Sequence, residues 1–142
     1  MASALNSAMA SVRDRFRTLV SVPFSLPTIH DNAPNAALPS VGRYCRFLVQ
    51  LGEQTQETLG ANGGGHWRTV GTALAAIYQP VGDGDGWQIE LADNIVDAFR
   101  GQTIIGPPLV RFEAPRIDSE PVLDDGMWLV VVSIPFLVEE YV

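Results

Sequence analysis

The run from Met127 to Val138 constrains the fold more than any other stretch of the chain. Read with the two-residue period of a strand, it is apolar on both sides: Trp128, Val130, Val132, Ile134 and Phe136 on one, Leu129, Val131 and Leu137 on the other. A strand of that kind belongs in the middle of a sheet with both of its faces covered. Pro135 withdraws one ladder donor, which predicts a bulge or a sheet margin near the end. The run is too short to span a bilayer as a helix, and it contains Ser133 and Pro135.

The other elements fall around this strand. Leu5, Met9, Val12, Phe16 and Leu19 form one helical stripe, with Ser3 as N-cap and Pro23 as terminator, predicting a helix over 4–20. Over 21–42, Pro23, Pro27, Pro34 and Pro39 forbid regular helix, yet Phe24, Leu26, Ile29 and Leu38 are apolar. This reads as an extended arm lying on a surface, either its own or a neighbour's. Arg43 to Leu51 alternates as a strand, and 69–79, ending at Pro80, pairs with it. Between them, Gly52 to His66 carries Glu53, Gln56, Glu57 and the Gly63–Gly65 run, which predicts a long, exposed, mobile loop suited to a partner.

Gly82 to Gly86 forms a turn, with Asp85 capping a second helix. That helix is marked by Trp87, Leu91, Ile95 and Phe99 and closed by Gly101. Residues 109–114 alternate as another strand, and the turn-rich stretch 115–126 leads into the last one. The expected fold is a single α+β domain over 1–142 in an α-β-β-α-β-β layout. Two helices pack on an antiparallel or mixed sheet, preceded by an extended arm.

Composition narrows the function classes. With 46% hydrophobic residues among 142, a full core can form. Only 18% are charged, as expected of a subunit that hides surface in an assembly, although a loop-rich monomer would show the same. The net charge is −7 and every cation is Arg, so wrapping a phosphate backbone is disfavoured. Cys45 is the one cysteine; it forms no disulfide within the chain and reads as a buried inert thiol in a strand. The N-terminal stretch does not read as a secretory signal, so the chain is expected to be soluble and made in the cytoplasm.

No constellation asks for catalysis. Asp83 to Glu90 lacks the third acid and the terminal Glu of a calcium loop, and Gly63–Gly65 lacks the Lys-Ser or Lys-Thr of a phosphate loop. His30 and His66 are too few and too far apart for a zinc site. Asp124 and Asp125 sit at a turn, with nothing apolar beside them to raise a carboxyl pKa, and there is no serine elbow. The expectation is a non-enzyme with no cofactor and no metal.

Ile29-His30-Asp31-Asn32-Ala33-Pro34, with Pro39 beyond, resembles the arm of phage tail terminator proteins. The strand from Arg43, Gly71 opening a strand, the Gly82–Gly86 turn, the Leu91-Ala92-Asp93 helix and the Ile134-Pro135-Phe136 ending follow in that family's order. The resemblance implies a structural virion protein at the tail-neck junction, assembled in the host cytoplasm with no membrane contact. It would form a homo-hexameric ring that caps the head-proximal end of the tail tube, stops tube polymerisation and provides the head-tail joining surface. Its partners would be the tail tube protein and a head-completion or connector protein, with DNA passing through the bore without specific binding. Ile29, Asp31, Asn32, Pro34, Arg43 and Arg46 are the expected subunit contacts. Glu53, Gln56, Glu57 and His66 are the expected partner-docking loop. Another neck connector or a tail tube subunit is the nearest alternative, followed by a small ligand-binding domain or an enzyme.

Overall fold

The computed structural model describes residues 4–24, 26–30, 42–59, 65–80, 86–105, 108–118, 122–124 and 127–141. Helix α1 spans Ala4–Phe16 and runs into a π-turn over Arg17–Ser21; α2 spans Gly86–Phe99. The strands are β1 (Thr28–His30), β2 (Tyr44–Leu59), β3 (Gly65–Pro80), β4 (Thr103–Ile104), β5 (Leu109–Phe112), β6 (Arg116–Ile117), β7 (Val122–Asp124) and β8 (Met127–Tyr141). They form one mixed sheet in the order β1-β2-β3-β8-β5-β4, with β6 and β7 also pairing β8. Only β1 lies parallel to its neighbour, β2. The α+β class stands as expected. The four-strand layout becomes eight because β1, β4, β6 and β7 have two or three residues each, too short to show an alternation.

Helix α1 buries Ala8, Val12 and Phe16 completely and the π-turn buries Val20, a register one step away from the expected Leu5–Leu19 stripe at its end. The cause is the π-turn: the N–H of Val22 donates to the Arg17 carbonyl, five residues back, at 2.9 Å. The extra residue carries Leu19 out to 39% exposure and brings Val20 under the sheet. Helix α2 buries Leu91, Ala92, Ile95, Val96 and Phe99 as its spacing requires. Its Gln88 donates Nε2 to the carbonyls of Ile77 and Trp128, at 3.0 and 2.9 Å, tying the helix start to β3 and β8. Gly101, at φ 64°, ends it in a conformation that favours glycine. Arg15 on α1 donates Nη2 to the Ala98 carbonyl in the last turn of α2 at 3.0 Å, and its guanidinium lies 5.9 Å from the Phe99 ring centroid.

Both helices pack on one face of the sheet. That face presents Cys45, Phe47 and Val49 from β2, Ala73, Ala75 and Ile77 from β3, and Val130, Val132, Ile134, Phe136 and Val138 from β8. Strand β8 is central, between β3 and β5, as its apolar run demands. Pro135 is accommodated at a break in the β5–β6 edge. Phe112 pairs with Phe136 and Arg116 with Ser133, while Pro135 accepts from the Glu113 N–H at 3.0 Å. In a strand the N and C=O of one residue point the same way, so the missing donor falls where the edge changes partner and no ladder bond is lost.

Gly71 does not open a strand; it sits inside β3, opposite Phe136, whose ring lies across it. A Cβ there would stand 2.6 Å from Cε2 and 3.0 Å from Cε1 of that ring. Phe136 is 1% exposed and packed against Phe112, so it has no free space to move into. Gly71→Ala is expected to destabilise the domain by ~1–3 kcal/mol, the usual cost of overpacking a core. Chemical denaturation of the two proteins measures it, and an unchanged midpoint would refute the close approach.

Two expectations for the middle of the chain are corrected. The Glu53–His66 stretch is not a long loop. Strand β2 runs to Leu59 and β3 begins at Gly65, with pairing from Tyr44↔Tyr78 out to Leu59↔Gly65 and register shifts after Leu51 and after Gln56. Polarity was the misleading cue, because strands that run beyond the core need ladder hydrogen bonds and not apolar side chains. The arm over 21–42 is not wholly extended or unpartnered either. Its start forms the π-turn exit, and Thr28–His30 joins the chain's own sheet as an edge strand beside β2. Asp31, Asn32 and Pro34, and the expected turn at Gly82–Asp85 with its cap, lie outside the described residues.

Candidate functional site

The second face of the sheet is the surface that the fold leaves unexplained. Among the described residues, both helices lie on the first face and none packs over this one, whose β8 members Leu129, Val131, Ser133 and Leu137 are half-buried. The register gives its rows. Tyr44, Tyr78 and Leu129 lie abreast, with the two tyrosine rings stacked at 4.7 Å. Next come Arg46, Ala76 and Val131, with Ile29 of β1 beside Arg46. Leu48, Leu74, Ser133 and Arg116 form the row after that. Toward the other end stand Val70, Leu137 and Arg111, then Arg68, Glu139 and Leu109. The apolar members are mostly half-buried, and Val70 is 47% exposed.

Glu139 anchors one end of this face. It is 4% exposed, a rare setting for a carboxylate unless it is paired. Arg68 Nη2 donates to Oε1 at 3.1 Å, Arg111 Nη2 to Oε2 at 3.3 Å, and His66 Nε2 lies 3.7 Å from Oε1. The cluster joins β3, β8 and β5 across the sheet. With a guanidinium on each oxygen, the carboxylate acts as a clamp between strands.

The chemistry sought in the sequence does not assemble elsewhere among the described residues. No group of three or more His, Cys, Asp and Glu stands close enough to hold a metal ion. Cys45 is fully buried, and burial pushes its thiol up, away from the thiolate a nucleophile needs. His30 sits edge-on to Phe47 at 6.0 Å, beside an open depression lined by Ala10, Arg13, Asp14 and Arg17. No described helix is long and apolar enough to cross a membrane.

Of the residues expected at subunit contacts, Ile29 and Arg46 come together on the open face, Ile29 half-buried and Arg46 exposed. Arg43 is on the other side, its guanidinium 4.5 Å from the Trp87 ring centroid at the start of α2. Of the expected docking residues, Glu53 is exposed in β2 at the bulge opposite Val70, Gln56 and Glu57 lie further along β2, and His66 belongs to the Glu139 cluster. Sequence reasoning passed over Arg68, Arg111, Arg116 and Glu139. Their signal is parity within a strand, and it becomes readable only once the register of β3, β5, β6 and β8 is known.

No family model and no curated protein matches the chain. Fourteen chains of solved structures resemble it. One of them, whose name describes no function, superposes with a TM-score of 0.65 at 21% identity, over 89% of this chain and 92% of its own. At that identity the likeness establishes the fold alone.

Proposed function

We propose that this chain is a ring-forming structural subunit of the tail terminator type. In that role it caps the head-proximal end of a phage tail tube, stops tube polymerisation and offers the head a joining surface. The observation that carries the assembly part is the open sheet face. Among the described residues, helices cover only one of the two apolar sides of the central strand, and an apolar band, half-buried and flanked by charge, suits a protein contact. The terminator part is supported by the ordered motifs from Ile29 to Phe136. Within the described sheet, the strand after Arg43, the Leu91-Ala92-Asp93 helix and the Ile134-Pro135-Phe136 ending fall in that order, while Gly71 lies inside β3 and does not open it.

The physical task of such a ring is partly refusal. One rim must match the last tube ring, and the other must reject a further tube subunit through charge and shape. The β2–β3 hairpin end, with Glu53, Gln56, Glu57 and His66, is the proposed docking element; as paired strands it presents these positions on a defined frame. Negative-stain microscopy with a solution mass measurement tests the reading. Closed rings of one size, six subunits by resemblance, are the expected result. Long tubes of the pure protein would instead identify a tube subunit, and a monomer with a tight small-molecule thermal shift a ligand-binding domain. In the parent phage, deletion of the gene is expected to give overlong tails.

A further inference from the structure

We infer that copies of this chain join head to tail, with the acidic outer stripe of α2 in one copy seated on the arginine-flanked open sheet face of the next. The inference rests on the assembly reading above and specifies its contact.

The two surfaces carry opposite, unspent charge. On α2 the exposed positions include Ile89, Glu90, Asp93 and Asp97, which at about 100° per residue share one arc of the helix. Glu90 and Asp93 have no ion-pair partner among the described residues, and Asp97 has only Arg100 at 3.8 Å, with both side chains well exposed. On the open face, Arg46 and Arg116 are exposed and likewise have no ion-pair partner among the described residues. Between them lie Ala76, Val131 and Leu74. Glu139 on that face is already held by Arg68 and Arg111. Glu53, in the β2 bulge, and Asp118, just past β6, stand at its margins.

The spacings are compatible. Arg46 and Arg116 are three strand steps apart, β2 to β3 to β8 to β6, and one two-residue row apart along the strands, or about 16 Å at ~4.8 Å per step and ~3.4 Å per residue. Glu90 and Asp97 are seven residues apart, about 10 Å at ~1.5 Å per residue, and the arginine arms close the difference. Ile89, 37% exposed, supplies an apolar contact for the band between the cations. Symmetric pairing of two open faces is disfavoured, because it would bring both sets of arginines into one interface. The helix layer and the open face look in opposite directions, so a contact that joins them is heterologous: repeated from copy to copy, it gives a ring where the rotation closes and an open filament where it does not.

Two charge-reversed variants test this: Glu90→Arg/Asp93→Arg on the helix and Arg46→Glu/Arg116→Glu on the sheet. All four side chains are exposed, and near-wild-type melting would show that both variants fold. By light scattering at matched concentration, each variant alone is expected to fall to the monomer mass. An equimolar mixture is expected to recover the wild-type mass, because every contact in an alternating assembly is again between opposite charges. Wild-type mass in either variant alone, or a monomeric mixture of two folded variants, overturns the contact while leaving the assembly reading standing. A wild-type chain that is itself monomeric overturns both.

Discussion

Replacing Phe16 with alanine is expected to lower the unfolding free energy by ~3–5 kcal/mol, the range for truncating a fully buried aromatic side chain. Phe16 has zero exposure and lies where three elements meet. Its ring stacks on Phe47 of β2 at 4.1 Å and lies 6.4 Å from Phe99 of α2, which in turn meets Phe112 of β5 edge-on at 4.9 Å. Truncation therefore removes the aromatic contact that joins α1 to both the sheet and α2, and opens a void among the remaining rings. A domain whose whole stability is of the usual ~5–15 kcal/mol would lose a large share of it. Phe24, in the turn beyond the π-turn and 45% exposed, is the control. Phe24→Ala is expected to change stability by no more than ~0.5 kcal/mol. Urea denaturation of the three proteins measures both effects. A loss below ~1 kcal/mol for Phe16→Ala would mean that α1 is not anchored by this cluster.

What could be read in advance followed from periodicity over long stretches. Strand β8 was legible because its run is long and apolar on both parities, and α2 because Leu91, Ile95 and Phe99 repeat every fourth residue between a glycine-rich turn and Gly101. Helix α1 was legible up to Phe16; the π-turn that exchanges Leu19 for Val20 has no sequence mark in the stripe itself. The outer half of the β2–β3 hairpin was misread because its side chains are polar, whereas the force that makes it strand is the backbone ladder to the partner chain segment. The candidate site was half legible. Ile29 and Arg46 were named with the family resemblance, as members of the arm and of the strand after it, and β1 pairing puts them side by side. Both faces of β8 were expected to be covered; the described helices cover one, and the other is the side proposed for assembly. A sequence shows how apolar a strand is, not whether its own chain or another copy covers it. Glu139 was hidden for a different reason. Its partners Arg68 and Arg111 are distant in sequence, and only the β3–β8–β5 register brings them together.

That cluster yields an unequal pair of effects. Removing both Arg68 and Arg111 by alanine substitution takes both guanidinium partners from a carboxylate that is 4% exposed in the native fold, leaving His66 Nε2 at 3.7 Å. Losing charged partners in this way is expected to cost ~1–3 kcal/mol, since water reaches part of the carboxylate once the arginine side chains are gone. Removing Glu139 instead is milder. The side chains of Arg68 and Arg111 are 36% and 53% exposed, so each guanidinium keeps access to water after its partner is lost. Glu139→Leu therefore strands no buried charge and puts an apolar side chain beside Leu109 and Leu137. The sharper expectation is the combination: Glu139→Leu added to the Arg68→Ala/Arg111→Ala protein should recover most of what the double substitution lost, because the stranded charge goes with it. Simple additivity of the three substitutions in urea denaturation would show that the carboxylate does not depend on its arginines. It would then be solvated in some other way, and the clamp across β3, β8 and β5 would have no energetic meaning.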